Sequence, residues 1–373
     1  MPRKGLFALP VRMLAATACA VCVGVAPGPA GAESQHDLLA FTSVDTFYNF
    51  SVSNPEVDDS FVRPALDLLY SYSKDDRFRV LGEYLWSSHE SELERMQVGW
   101  RTGNDTMVWL GRFHTNAKFW TSEYHHGQFL QTSITRPSVE EWEDESGPIP
   151  SHVSGLAIEH EFRRKDLSGM QFSASAGLAP RFVGEELEPF DLLDPESDHD
   201  LSLNFSLIYR PNVTSGNQFG ALFGWNDIDV DSASSPNLAD LDSIDQLTYG
   251  VFADWSWSNW RVLGSVIYLD NDLRYFDGHL RDKFAAGYVQ LEYELSDDWR
   301  LFGRSDNGID EDDSIYLRLL PAFVAHRHML GVRWDFATFH SFTAEIADTS
   351  AQGEDVTHDH FKEFRLQWSG VFQ

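Results

Sequence analysis

Apolar and polar residues alternate with a period of two through almost the whole chain after residue 33, and few folds accommodate that pattern. In residues 77–87, Phe78, Val80, Gly82, Tyr84 and Trp86 fall on one face, and Arg77, Arg79, Leu81, Glu83, Leu85 and Ser87 on the other. Residues 284–295 set Ala285, Gly287, Val289, Leu291, Tyr293 and Leu295 against Tyr288, Gln290, Glu292 and Glu294. Near the end of the chain, Phe364, Leu366, Trp368, Gly370 and Phe372 oppose Arg365, Gln367 and Ser369. Runs of about ten residues with one apolar and one polar face are strands, because successive side chains leave a sheet on opposite sides. The apolar faces then need cover, from a second sheet or from lipid.

Two features select lipid. Tryptophans recur near the ends of the runs (Trp86, Trp100, Trp109, Trp255, Trp257, Trp260, Trp299, Trp334, Trp368), where a bilayer interface holds aromatic girdles. Connections also alternate in length. Residues 74–76, 103–105, 165–166, 258–259 and 296–298 are tight turns, whereas 191–200, 227–245, 306–313 and 351–359 are longer and acidic. Short turns on one side and long loops on the other are the topology of a transmembrane barrel. After the N-terminal segment no run of about 18 apolar residues exists, so strands are the available way across.

The N-terminus reads as an export signal. Arg3, Lys4 and Arg12 precede a mostly apolar stretch at 13–26, and Ala30, Gly31 and Ala32 form a small-residue cleavage site. Cleavage after Ala32 is expected, leaving residues 33–373 as one barrel domain; a lipoprotein signal at Cys19 or Cys22 is the weaker alternative. Both cysteines lie in residues 1–32, so no disulfide is expected in the mature chain. The segment holds three of the 28 basic residues and no acid, so its removal takes the net charge from −30 to about −33. That balance argues against a nucleic-acid partner.

The final strand, with apolar residues at every second position and Phe372 next to last, resembles the closing strand of Gram-negative outer-membrane β-barrels. Gln373 after the aromatic is a departure from that pattern. The motif running from Arg112, Phe113 and His114 through Trp120, Tyr124, His125, His126, Arg136 and Trp142 to His152 resembles porin-like proteins of unassigned substrate. The likeness to porin-type barrels covers nearly the whole chain after residue 32. It implies an all-β fold, an antiparallel transmembrane β-barrel in the outer membrane of a Gram-negative bacterium. Implied partners are outer-membrane lipid and lipopolysaccharide, the barrel-assembly machinery acting on Phe372, small solutes, and two further copies in a homotrimer.

Sixteen runs are expected: 39–52, 61–72, 77–88, 93–102, 107–114, 152–163, 169–178, 200–210, 217–226, 244–256, 260–270, 282–295, 299–305, 326–336, 341–348 and 361–372. An even count puts both ends on the periplasmic side and leaves 314–324 in a loop. Residues 114–152 then become the third surface loop, the one that folds inward in the general porins this chain resembles.

Charged side chains on a lipid face near the midplane cost roughly 2–4 kcal/mol each, so alternation sends them inward. Arg79, Arg95, Arg101, Arg112, Arg163, Arg304 and Arg333 are expected to line the pore. The third loop supplies His114, His125, His126, Arg136, Glu140, Glu141, Glu143 and Asp144 to a constriction. An acidic loop facing arginines makes a transverse field that sorts ions.

No metal site is expected. His114, His125, His126 and His152 match no zinc spacing, and adjacent His125 and His126 would point apart on a strand. Asp227, Asp229 and Asp231 begin like a calcium loop, but Ser232 stands where glycine is needed and no glutamate closes it. Ser122 and Ser133 sit in no nucleophile motif, so no enzyme and no cofactor are expected. Function therefore reads as a passive channel for small hydrophilic solutes. A plugged barrel with a binding or structural role, and a soluble secreted carbohydrate-active protein, are the other readings.

Overall fold

Each alternating run folds as a strand, and several strands, β1 and β14 at 19 residues among them, are longer than the runs expected. The computed structural model describes residues 34–52, 60–75, 77–88, 91–124, 127–192, 199–311, 313–352 and 358–373. The export segment and its cleavage after Ala32 lie outside the described residues, as do His125 and His126.

The first half of the chain forms β1 (Ser34–Val52), β2 (Ser60–Lys74), β3 (Phe78–Ser87), β4 (Ser91–Thr102), β5 (Thr106–His114), β6 (His152–Arg163) and β7 (Gly169–Leu178). A small hairpin follows, β8 (Arg181–Val183) and β9 (Glu186–Glu188). The remainder is β10 (Leu201–Arg210), β11 (Gln218–Val230), β12 (Leu241–Trp257), β13 (Trp260–Tyr275), β14 (Gly278–Ser296), β15 (Trp299–Ile309), β16 (Val324–Ala337), β17 (His340–Gln352) and β18 (His358–Phe372). Neighbours pair antiparallel, β7 pairs directly with β10, and β1 pairs with both β2 and β18, so sixteen strands close into a barrel. Closure removes every open edge, which hydrocarbon requires. The hairpin stands outside the ring, with β8 pairing parallel to the end of β11. All sixteen expected runs are ring strands, and residues 314–323 form a loop with one 3-10 turn at Leu317–Leu319.

The outward faces carry the apolar side chains: Leu110, Leu156, Val251 and Leu330 are 56–69% exposed in mid-strand. Trp86, Trp100, Trp255, Trp257, Trp260, Trp299 and Trp334 are exposed with them. Trp109 corrects the girdle expectation. It is buried and packs with Met107, Phe113, Val153 and Ala157, because alternation in β5 turns Val108 and Leu110 outward instead.

The interior departs from a uniformly polar lumen. One apolar core joins Trp120, Tyr124, Val139 and Ile149 of the third loop to Phe182 and Leu187 of the hairpin. It continues through Tyr316, Leu317 and Phe323 to the inward residues Leu263, Ile267 and Leu269 of β13 and Phe284 and Ala286 of β14. That sector of the wall is apolar on both faces.

Candidate functional site: the third loop and the cavity beside it

The third loop leaves β5 and returns to β6 through a backbone hydrogen bond from Thr115 N–H to Ser151 O at 2.8 Å. Between them lie a short helix, α1 (Phe119–Tyr124), and 3-10 turns at Gln128–Leu130, Ser138–Glu140 and Glu143–Glu145. Pro137 is extended and starts the second turn; Ser146, left-handed at φ 64°, ends the third. Gly147 must be glycine, since a Cβ there would lie 2.1 Å from Glu141 O and 2.5 Å from Trp142 O.

Lys118 clasps the two arms of the loop. Its buried ammonium donates to Ser151 Oγ at 2.7 Å, Ile149 O at 3.3 Å and Glu141 O. Burial pulls its pKa down to about 8, against the raising influence of Glu140 and Glu143. Arg136 lies 3.7 Å above the Trp142 ring, and burial lowers its pKa to about 10. Burial raises Glu140 and Glu141.

The loop is bonded to inward-facing side chains far around the ring. Ser265 of β13 donates to Glu140 Oε1 at 3.0 Å, and Gln246 of β12 and Tyr316 both donate to Pro148 O. Arg304 of β15 donates to Thr135 O and Arg136 O, both at 2.7 Å, and pairs with Asp306 at 2.9 Å. Arg333 donates to Gln131 O, and Glu345 accepts from Ile134 N–H. β15 stands eight strands from β5 whichever way the ring of sixteen is counted, so these contacts span its full width.

A cavity of about 620 Å³ lies on the other side of the loop, against β1, β2, β3, β16, β17 and β18. Arg63, Arg136, Arg327 and Arg365 line it, together with Asp45, Asp67, Glu141, Asp144 and Glu145. Arg63 reaches across to Glu145 at 2.8 Å. Aromatic walls come from Phe41, Phe61, Trp142, Phe323 and Phe361.

Of the residues expected from sequence, Arg136, Glu141 and Asp144 are brought to this cavity. Glu140 is fully buried between Trp120 N–H and Ser265. Glu143 is turned to His152. Arg95 pairs with Glu83, and Arg112 with Glu92 and the Phe190 carbonyl. Arg101 donates to Asn104 O in a turn, Arg79 is exposed near another, and Arg163 pairs with Glu161 at the rim. Arg304 and Arg333 hold the loop rather than line the cavity. Arg63 and Arg327 were not among the expected pore residues; Phe61, Arg63, Ala65 and Asp67 share one face of β2, so alternation could have found the first.

The other candidate chemistries resolve locally. Ser122 donates to Lys118 O at 2.7 Å and Ser133 to Thr135 O at 2.9 Å. Asp229 pairs with Arg181 at 3.0 Å, and Asp227 with Arg274 at 3.8 Å. His114 and His152, at the two roots of the loop, meet Glu94, with one potential ligand atom from each lying within 4.8 Å of the others. Glu94 had no place in the sequence-based reading.

No protein-family model matches the chain, and no curated protein matches it. Solved structures do. The anion-selective porin of Comamonas acidovorans superposes with a TM-score of 0.61 at 10% identity, over 91% of this chain and 100% of that one. The fold is that of the porins. The outer-membrane channel DcaP of Acinetobacter baumannii matches this barrel with a TM-score of 0.58 at 12% identity, covering 91% and 97% of the two chains. OmpT of Vibrio cholerae, in its trimer form, matches at 0.57 and 11% identity, covering 91% and 99%.

Proposed function

We propose that this porin-fold chain is a passive channel for small hydrophilic solutes in a Gram-negative outer membrane, narrowed by the third loop. The observation that carries the proposal is the cavity between that loop and the wall, about 620 Å³ in volume and lined by opposed charges. Glu141, Asp144 and Glu145 sit on the loop, and Arg63, Arg327 and Arg365 on the wall. Charges fixed across a narrow, low-dielectric passage make a transverse field that orients a dipolar solute and sorts ions. The exposed apolar belt supports contact with lipid and lipopolysaccharide. Phe372, outward on the closing strand, supports recognition by the assembly machinery. The trimer form of OmpT supports a homotrimer.

The test is ion selectivity in planar bilayers under a salt gradient. Reversing Glu141 and Asp144 to lysine is expected to move the reversal potential toward anion preference. An unchanged potential would remove the loop from the ion path.

A specific observation favours a second reading, a plugged barrel with a binding role. The apolar core of the third loop, the hairpin and residues 316–323 fills one sector of the interior. On that reading the intact protein conducts no current, and deletion of residues 117–149 opens it.

A further inference from the structure

We propose that Glu94, His114 and His152 form a binding site for a divalent transition ion such as zinc, which fastens both roots of the third loop to the wall. The site is independent of whether the barrel conducts.

The three donors come from three strands. Glu94 is the extra residue of a bulge in β4: Glu83 pairs with Arg95 and Tyr84 with Leu93, leaving Glu94 between the two pairs. A bulge re-aims a side chain, and here Glu94 and Arg95 are both buried. His114 closes β5 and His152 opens β6, directly opposite each other in the ladder. Their rings stand 5.0 Å apart, and all three residues are at least nine-tenths buried.

His152 has the arrangement of a metal-ligating histidine. Its Nδ1 lies 2.6 Å from Glu143 Oε1, and its Nε2 lies 2.9 Å from Glu94 Oε2. A carboxylate on one ring nitrogen fixes the tautomer that turns the other nitrogen to the ion. Glu94 Oε2 and His152 Nε2 face each other directly, and an ion fits between them once they part slightly. An entering ion takes the position of any proton shared there, and that proton leaves to solvent.

Distance and charge both fit. A tetrahedral ion with bonds of about 2.0–2.1 Å holds its ligand atoms about 3.4 Å apart. Donors already within 4.8 Å therefore reach it by side-chain adjustment of about 1 Å. Two neutral imidazoles with the carboxylates of Glu94 and Glu143 balance a double positive charge, which a buried site requires. Arg112 beside them is matched by its own partner, Glu92. Two nitrogens and one oxygen suit zinc and its neighbours better than calcium or magnesium.

The test uses the folded full-length barrel in detergent, stripped with chelator and titrated calorimetrically with zinc alone. One ion per chain is expected. Glu94→Gln and His114→Gln are expected to weaken binding at least tenfold, and Glu143→Gln by about 10- to 100-fold. His279→Gln, at an exposed histidine, is expected to leave it unchanged. Cobalt added to the unaltered protein gives a readout that needs no variant: visible bands of four-coordinate geometry, bleached by zinc. Absence of zinc binding by the folded protein, or binding that survives both ligand substitutions in folded variants, would overturn the site.

Discussion

Arg304 shows how one side chain carries more than its pair. Its guanidinium and the Asp306 carboxylate are both shut off from solvent, and its remaining donors are spent on the carbonyls of Thr135 and Arg136. Truncation leaves the buried Asp306 carboxylate without its closest cation and takes a charged donor from two loop carbonyls, which keep only Ser133 and Arg327. Arg304→Met is therefore expected to cost about 3–5 kcal/mol, the penalty for breaking a buried pair from one side. Arg163→Met, removing an exposed pair with Glu161, should leave the unfolding midpoint where it was. Denaturant unfolding of the two folded variants checks this, and equal midpoints would contradict it. Alternation marks Arg304 and Arg333 as inward. It does not mark what they hold, because backbone carbonyl acceptors leave no trace in residue type. Glu94 was hidden for another reason: a bulge breaks the parity by which faces are read.

Elements differ in how far their sequence betrays them. The ring strands were legible, but several run longer than the alternation predicts; β14 spans 19 residues because its ladder with β13 runs on to the Tyr275–Gly278 pair. The three-residue strands β8 and β9 were not legible, since they are short and the pairing of β8 with β11 rests on contacts distant in sequence. β13 carried a signal that alternation obscured. Val262, Leu263, Val266, Ile267, Tyr268 and Leu269 make a nearly continuous apolar run, as a strand covered on both faces requires. The third loop was legible as an interruption, and its packing was not. That packing turns on Gly147, whose N–H donates to Trp142 O at 2.7 Å and whose Cα leaves no room for a side chain. Gly147→Val is expected to dislodge the turns at Ser138–Glu140 and Glu143–Glu145. A glutamate-specific protease, to which buried Glu140 and Glu143 are closed, should then cut there. Equal resistance of variant and parent would contradict the packing.

At the scale of the molecule, the loop divides the interior into unlike halves. Toward β13 and β14 it joins an apolar core; toward β1, β2 and β18 it leaves a charged cavity. Arg63, Arg327 and Arg365 face the loop carboxylates on the cavity side. On the proposed function solutes pass on that side, and the chain's cysteines make this directly testable. Cys19 and Cys22 are the two that the sequence contains, both in the expected export segment, so a single introduced thiol reports its own position. Ala65 of β2 lines the cavity, and Ala286 of β14 lies in the apolar core. The decisive measurement is block of single-channel current by a charged, thiol-reactive reagent. Ala65→Cys should lose most of its current on exposure while Ala286→Cys keeps it. Block at Ala286→Cys with none at Ala65→Cys would place the passage in the opposite half and overturn the proposed path.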